Sequence, residues 1–108
     1  MWSVVPDKYG NVQVYKGDDV MLPCHVTPTT TANISWLQTE KYSSGEYLYK
    51  IYINGRILQQ VRDRFSVHNA SVGDYTLKIE NVQPSDAGLY RCFDQQRPLQ
   101  NYFIDVSG

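Results

Sequence analysis

The chain has 108 residues, which suits a single domain. It carries 10 Lys and Arg against 11 Asp and Glu for a net charge of −1, and its cations are scattered, so neither a nucleic-acid patch nor a polybasic membrane-binding run is present. No stretch approaches the roughly 18 apolar residues of a membrane span, and no signal peptide is visible; Met1-Trp2 reads as an artificial start with any leader and anchor trimmed away, so the chain is expected to be a fragment of something longer.

Apolar residues alternate with polar ones at period two, and no sustained 3.6 period appears. Strands are expected at about 3–6 and 11–15, as halves of one interrupted strand. The next runs over 18–26, where Val20, Leu22, Cys24 and Val26 alternate behind Gly17-Asp18. Thr27–Ala32 reads as a loop, and Ile34 and Trp36 mark a strand at 33–39. Strands at 46–53 and 56–61 flank Asn54-Gly55, the strongest hairpin signal in the chain because both residues tolerate positive φ. Two more follow at 63–68 and at 74–79, where Tyr75, Leu77 and Ile79 alternate. Pro84-Ser85-Asp86 marks a corner, and 88–94 with 99–106 form a last hairpin with Arg97-Pro98 at its tip. Many short strands with regular turns indicate an all-β sandwich or barrel.

Motifs of catalysis are missing: there is no Gly-x-Ser-x-Gly elbow, His-Glu-x-x-His, phosphate-binding glycine loop or Cys-x-x-Cys. His25 and His68 fall on different strands without a second ligand at metal spacing, and they read as polar strand residues. The acidic residues are dispersed, with no pair set up for acid and base roles. The expectation is a domain that is not an enzyme and needs neither cofactor nor metal.

Leu22-x-Cys24, Trp36 and Asp86-x-Gly88-x-Tyr90-x-Cys92 together resemble the variable-type (V-set) immunoglobulin domain. The run from Arg64-Phe65-Ser66 through Asp74-Tyr75-Thr76-Leu77-Lys78-Ile79 to Val82-Gln83-Pro84-Ser85-Asp86 is similar to antigen-receptor variable domains. The resemblance implies a Greek-key β-sandwich of two antiparallel sheets over the whole chain, 1–108, as one V-set domain of a longer ectodomain. It implies a disulfide between Cys24 and Cys92, hence an oxidising, extracellular setting; two buried thiols in a reducing compartment are the alternative. Closing so long a loop contributes roughly 4 kcal/mol in the chain-entropy account. Trp36, Tyr90, Leu22 and Leu77 are then core residues, Tyr90 forms a tyrosine corner, and Arg64 pairs with Asp86. Two departures stand out. The last strand, Leu99 to Val106, has no Gly-x-Gly bulge, and Thr39 stands where antigen receptors usually carry Gln. Both bear on antibody-style pairing and point towards the wider set of cell-surface receptors and adhesion proteins.

Strand parity then places the surfaces. With Trp36, Tyr90 and Cys92 inward, Ser35, Leu37, Leu89, Arg91 and Phe93 face out, as do Phe103 and Asp105 on the last strand. Lys50 and Tyr52 face out if Ile51 faces in. The outer face of the front sheet (G, F, C and C′ in the family's lettering) is expected to show Leu37, Tyr52, Phe93 and Phe103 as one apolar patch flanked by Arg91, Lys50 and Asp105. Such a patch ringed by charge is the usual form of a protein interface. The expected function is recognition of a protein partner, a second copy being one candidate, at the cell surface. The alternatives are an innate receptor reading foreign molecules with its loop tips (Thr27–Ala32, Asn54-Gly55, Asp94–Pro98) and a plain spacer. Sequons at Asn33 and Asn69 are candidate glycosylation sites.

Overall fold

The computed structural model describes residues 3–26, 33–40, 48–53, 55–58, 63–69 and 73–108, apart from the side chains of Glu40, Leu48, Tyr49 and Asn69. The strands among them are β1 (Ser3–Val4), β2 (Asn11–Tyr15), β3 (Asp19–Leu22), β4 (Ile34–Glu40), β5 (Leu48–Ile53), β6 (Arg56–Ile57), β7 (Phe65–Asn69), β8 (Asp74–Ile79), β9 (Gly88–Asp94) and β10 (Arg97–Ser107), with a 3₁₀ turn at Pro84–Asp86. They form two sheets, ordered β1-β3-β8-β7 and β2-β10-β9-β4-β5-β6. Neighbours are antiparallel except for the outermost strands β1 and β2, which run parallel to β3 and β10. The chain changes sheet between β1 and β2, β2 and β3, β3 and β4, β6 and β7, and β8 and β9, the last three being the crossovers of a Greek-key sandwich.

Alternation builds the core. Val12, Val14, Val20, Leu22, Ile34, Leu77, Ile79 and Ile104 turn inward from the two sheets and are buried. Each such side chain contributes about 1.5–3 kcal/mol on leaving water. Cys24 and Cys92 are joined across the layers, with Cα atoms 6.5 Å apart. Trp36 lies beside them, fully enclosed: its Nε1–H donates to the Tyr75 carbonyl at 2.7 Å, and its ring stacks on Tyr102 at 6.1 Å. The Tyr102 hydroxyl donates to the Pro23 carbonyl.

The corner before β9 is tied by one carboxylate. Asp86 accepts from both ends of the Arg64 guanidinium, at 2.7 and 3.0 Å, and from the Gln83 amide at 2.7 Å. The Arg64 pKa is raised, chiefly by this hydrogen-bonded partner. The buried Tyr90 hydroxyl donates to the Asp86 carbonyl at 2.6 Å, and burial pushes its pKa well up. Arg64 also lies over the Phe65 ring, 5.5 Å from its centre.

Several boundaries differ from the expected ones. β3 pairs regularly only to Leu22, and beyond it the Tyr75 carbonyl accepts from Trp36 Nε1; the Cys24 carbonyl still accepts from the Tyr75 amide at 2.7 Å, and His25 bridges to Asp74. β1 and β2 do interrupt one another, but they lie in different sheets: Gly10 at φ +83° lets the backbone turn tightly against Asn101. The last hairpin turns at Gln95-Gln96, not at Arg97-Pro98. Gln95 takes φ +56°, Arg97 pairs with Asp94, and Pro98 sits inside β10 where the register shifts, so its missing N–H breaks no regular ladder. β5 and β6 pair through Ile53 and Arg56 around Gly55 at φ +79°. Asn54 and Thr27–Ala32 lie outside the described residues.

Candidate functional site

The outer face of the larger sheet is assembled from facing residues on β5, β4, β9, β10 and β2. Pairing sets three successive rows across it. The first joins Ser35, Phe93 and Pro98. The second runs Lys50, Leu37, Arg91, Asn101. The third takes in Thr39, Leu89, Phe103 and Asn11. Asp105 follows beside Gln13. Residues opposite one another in such rows have Cβ atoms about 4.5–5.5 Å apart and act on each other directly.

Of the side chains expected on this face, Arg91, Lys50, Phe103 and Asp105 are exposed, and Leu37 and Phe93 are half-buried. Tyr52 is the correction. It is only 6% exposed and points into the sandwich, its ring tilted against Tyr75 at 6.2 Å. The cause is a bulge in β5. Lys50 pairs with Leu37 and Tyr52 with Trp36, which leaves Ile51 as an extra residue between the two rungs. Strict alternation therefore fails after Lys50, and Ile51 and Tyr52 are both buried. Burial, with the neighbouring Tyr75 adding to it, raises the Tyr52 hydroxyl's pKa.

The apolar residues are spread over all three rows. Phe93 and the Leu89–Phe103 pair lie two rows apart, a separation of roughly 13 Å along the strand. The Leu37–Arg91–Asn101 row stands between them. The middle row sets Lys50 and Arg91 on either side of Leu37, with the aromatic residues in the rows above and below. Charge is unevenly spread: Lys50 and Arg91 lie on the β5–β9 side, and Asp105 on β10 towards the β2 edge. Tyr9, in the turn before β2, and Tyr15, at the end of β2, are 76% and 71% exposed.

Asn33 is exposed just ahead of β4, where its carbonyl accepts from the Gln95 amide at 3.0 Å. Asn69 closes β7, opposite Asp74. The second sheet carries a grouping that linear spacing hid. His68 Nδ1 lies 2.8 Å from one Asp74 carboxylate oxygen, and His25 Nδ1 lies 3.6 Å from the other. Burial by itself raises the Asp74 carboxyl. Hydrogen bonds from the Thr76 hydroxyl, His68 and the Thr76 amide outweigh it and bring the pKa down to about 2. Among the described residues, no three His, Cys, Asp or Glu side chains are arranged to hold a metal ion.

Comparison with known proteins agrees with this architecture. A family model of the Immunoglobulin V-set domain matches residues 8–103. The chain is 30% identical over 100 residues to mouse (Mus musculus) butyrophilin-like protein 2, covering 86% of this chain and 22% of that protein. It is 28% identical over 96 residues to the human sodium channel regulatory subunit beta-2, covering 81% of this chain and 45% of that protein. Human immunoglobulin superfamily member 10 is 34% identical over 79 residues, 73% of this chain and 2% of that protein. The chain thus spans less than half the length of each of these relatives.

Proposed function

The chain belongs to the immunoglobulin V-set family, and from that premise we propose that it is one V-set domain of a longer cell-surface receptor or adhesion protein. Its role is to recognise another protein outside the cell, through the outer face of the larger sheet. Membership of the family supports the general recognition role. The observation that carries the choice of face is the central Lys50–Leu37–Arg91 row with Phe93 on one side and Leu89 and Phe103 on the other. Arginine and aromatic residues are the usual energetic anchors of interfaces. Covering the apolar flanks supplies affinity, while Lys50, Arg91 and Asp105 fix the register of the partner. A second copy is a natural partner of this kind, since a two-fold interface needs only one self-complementary patch. The uneven charge suits it: a two-fold copy can bring the basic side of one face to the acidic side of the other. Asn33 and Asn69 are proposed glycan attachment points, and a glycan at Asn33 borders the upper end of the face.

Recognition of foreign molecules by loop tips draws less support, because the β9–β10 connection is the two-residue turn Gln95-Gln96, which projects little. A fluorescent tetramer of the 108-residue chain applied to a panel of cells separates the readings. Arg91→Glu and Phe103→Ala, both at exposed positions, are expected to keep the fold and each weaken staining by about tenfold or more. Staining that survives both changes but is lost in Gln95→Ala/Gln96→Ala rejects the sheet face.

A further inference from the structure

β2 is the outermost strand of the six-stranded sheet. Such a strand offers unpaired N–H and C=O groups to any other chain. Its sequence, Asn11-Val12-Gln13-Val14-Tyr15, carries none of the usual deterrents: no charge, no proline, and no bulge in its pairing with β10. The direction of its backbone groups follows from two hydrogen bonds. The Gly10 carbonyl accepts from the Phe103 amide at 2.8 Å, and the Lys16 amide donates to the Ser107 carbonyl at 2.7 Å. Backbone groups alternate sides along a strand, so the even-numbered residues address β10, while Asn11, Gln13 and Tyr15 address the open edge.

Two of these three are already occupied. Asp7 Oδ1 accepts from the Asn11 amide at 3.0 Å, and the Asp7 amide donates to the Asn11 carbonyl at 2.9 Å. Asp18 does the same at the other end: its Oδ2 accepts from the Tyr15 amide at 3.0 Å, and its amide donates to the Tyr15 carbonyl at 3.0 Å. Each aspartate occupies the positions that one residue of an added strand would take. Between them Gln13 has no such clip among the described residues, and beside it lies a groove of about 470 Å³ lined in part by Val5, Gln13 and Phe103.

We propose that Asp7 and Asp18 are an edge lock: they hold β2 closed to a second copy of this chain, and without them two β2 strands pair antiparallel across a two-fold axis at Gln13. The strand suits a copy of itself. Under that axis Val12 faces Val14 and Asn11 faces Tyr15, so apolar meets apolar and no like charges are opposed. Edge pairing works through β2 backbone groups, so it is separate from recognition by the outer face.

Sedimentation velocity over a concentration series compares the 108-residue chain with Asp7→Ala/Asp18→Ala. Self-association tightens by about tenfold or more in the double variant. It returns to the wild-type level when Gln13→Pro is added, because proline withdraws an N–H at the axis that makes no bond to β10. Arg91→Glu on the double-variant background leaves the association in place, which separates it from dimerisation through the face. In the wild type, amide hydrogen exchange is slow at Asn11 and Tyr15 and fast at Gln13. A double variant that folds and sediments like the wild type overturns the lock. So does a wild-type Gln13 amide as protected as those of Asn11 and Tyr15, a result that depends on no variant folding.

Discussion

Removing a single oxygen, in Tyr90→Phe, tests the corner that sets where β9 begins and so where Leu89, Arg91 and Phe93 emerge. Phenylalanine keeps the ring, and with it the packing of a fully buried side chain. What is lost is the hydroxyl's bond to the Asp86 carbonyl at 2.6 Å. A neutral hydrogen bond contributes about 0.5–1.5 kcal/mol net, and a buried partner left unsatisfied raises the loss to about 1–3 kcal/mol. The Asp86 carbonyl retains one weak donor, Gln38 Nε2 at 3.5 Å, so the expected loss is roughly 1.5–2 kcal/mol. For a domain of this size that lowers Tm by about 6–12 °C. Differential scanning calorimetry reads the shift, and urea unfolding should show a lower midpoint at unchanged slope. Gln38→Met removes the remaining donor. The double variant should then lose about 1 kcal/mol more than the two single losses combined, since neither donor can stand in for the other. A Tyr90→Phe Tm within about 2 °C of wild type, or strict additivity in the double variant, would refute the assignment of this bond as the tie.

Two further outcomes concern two glycine turns, one in each sheet, and the carboxylate of Asp74. Gly73→Ala forces an L side chain to φ +81° with its Cβ colliding with the Val26 carbonyl oxygen, whereas Gly55 at φ +79° has open space around it. Gly55→Ala should therefore cost only the left-handed penalty of about 1–2 kcal/mol, and Gly73→Ala clearly more, compared by urea midpoints. Asp74, held down to about 2 against about 3.9 in an unfolded chain, has a depressed folded-state pKa. It contributes roughly 2 kcal/mol of stability that is fully present above about pH 5 and lost as the pH falls towards 2. Unfolding followed between pH 6 and pH 3 should show a shallower fall in Asp74→Asn than in wild type; equal slopes would remove Asp74 from the account.

Much of the sandwich could be read from the chain alone because period-two alternation and the Cys24, Trp36, Tyr90 and Cys92 positions constrain one another. Parity on β4, β9 and β10 also placed Leu37, Arg91 and Phe103 on the same side. The same reasoning failed at Tyr52, because a bulge is a property of two strands: Ile51 is extra only with respect to β4. Parity puts Phe93 and Phe103 on one face but cannot tell which row a residue joins; the register places the row of Arg91 between them. The hairpin tip was misplaced because Gln95 accepts positive φ without the usual Gly or Asn, leaving Pro98 as the visible punctuation. The His25–Asp74–His68 grouping and the aspartate clips on β2 arise from register and from turns, which spacing along the chain does not report.

Parallel pairing of β2 with β10 has a mechanical consequence. Five rungs, from Phe103 opposite Asn11 to Ser107 opposite Tyr15, join the second strand of the chain to the last. Tension applied between the start of β2 and the end of β10 pulls these strands lengthwise past each other, so all five rungs share the load and must yield together. The bridge from Cys24 to Cys92 then shields the intervening loop from extension. A force–extension trace that opened by peeling β10 off one rung at a time would contradict this shear geometry.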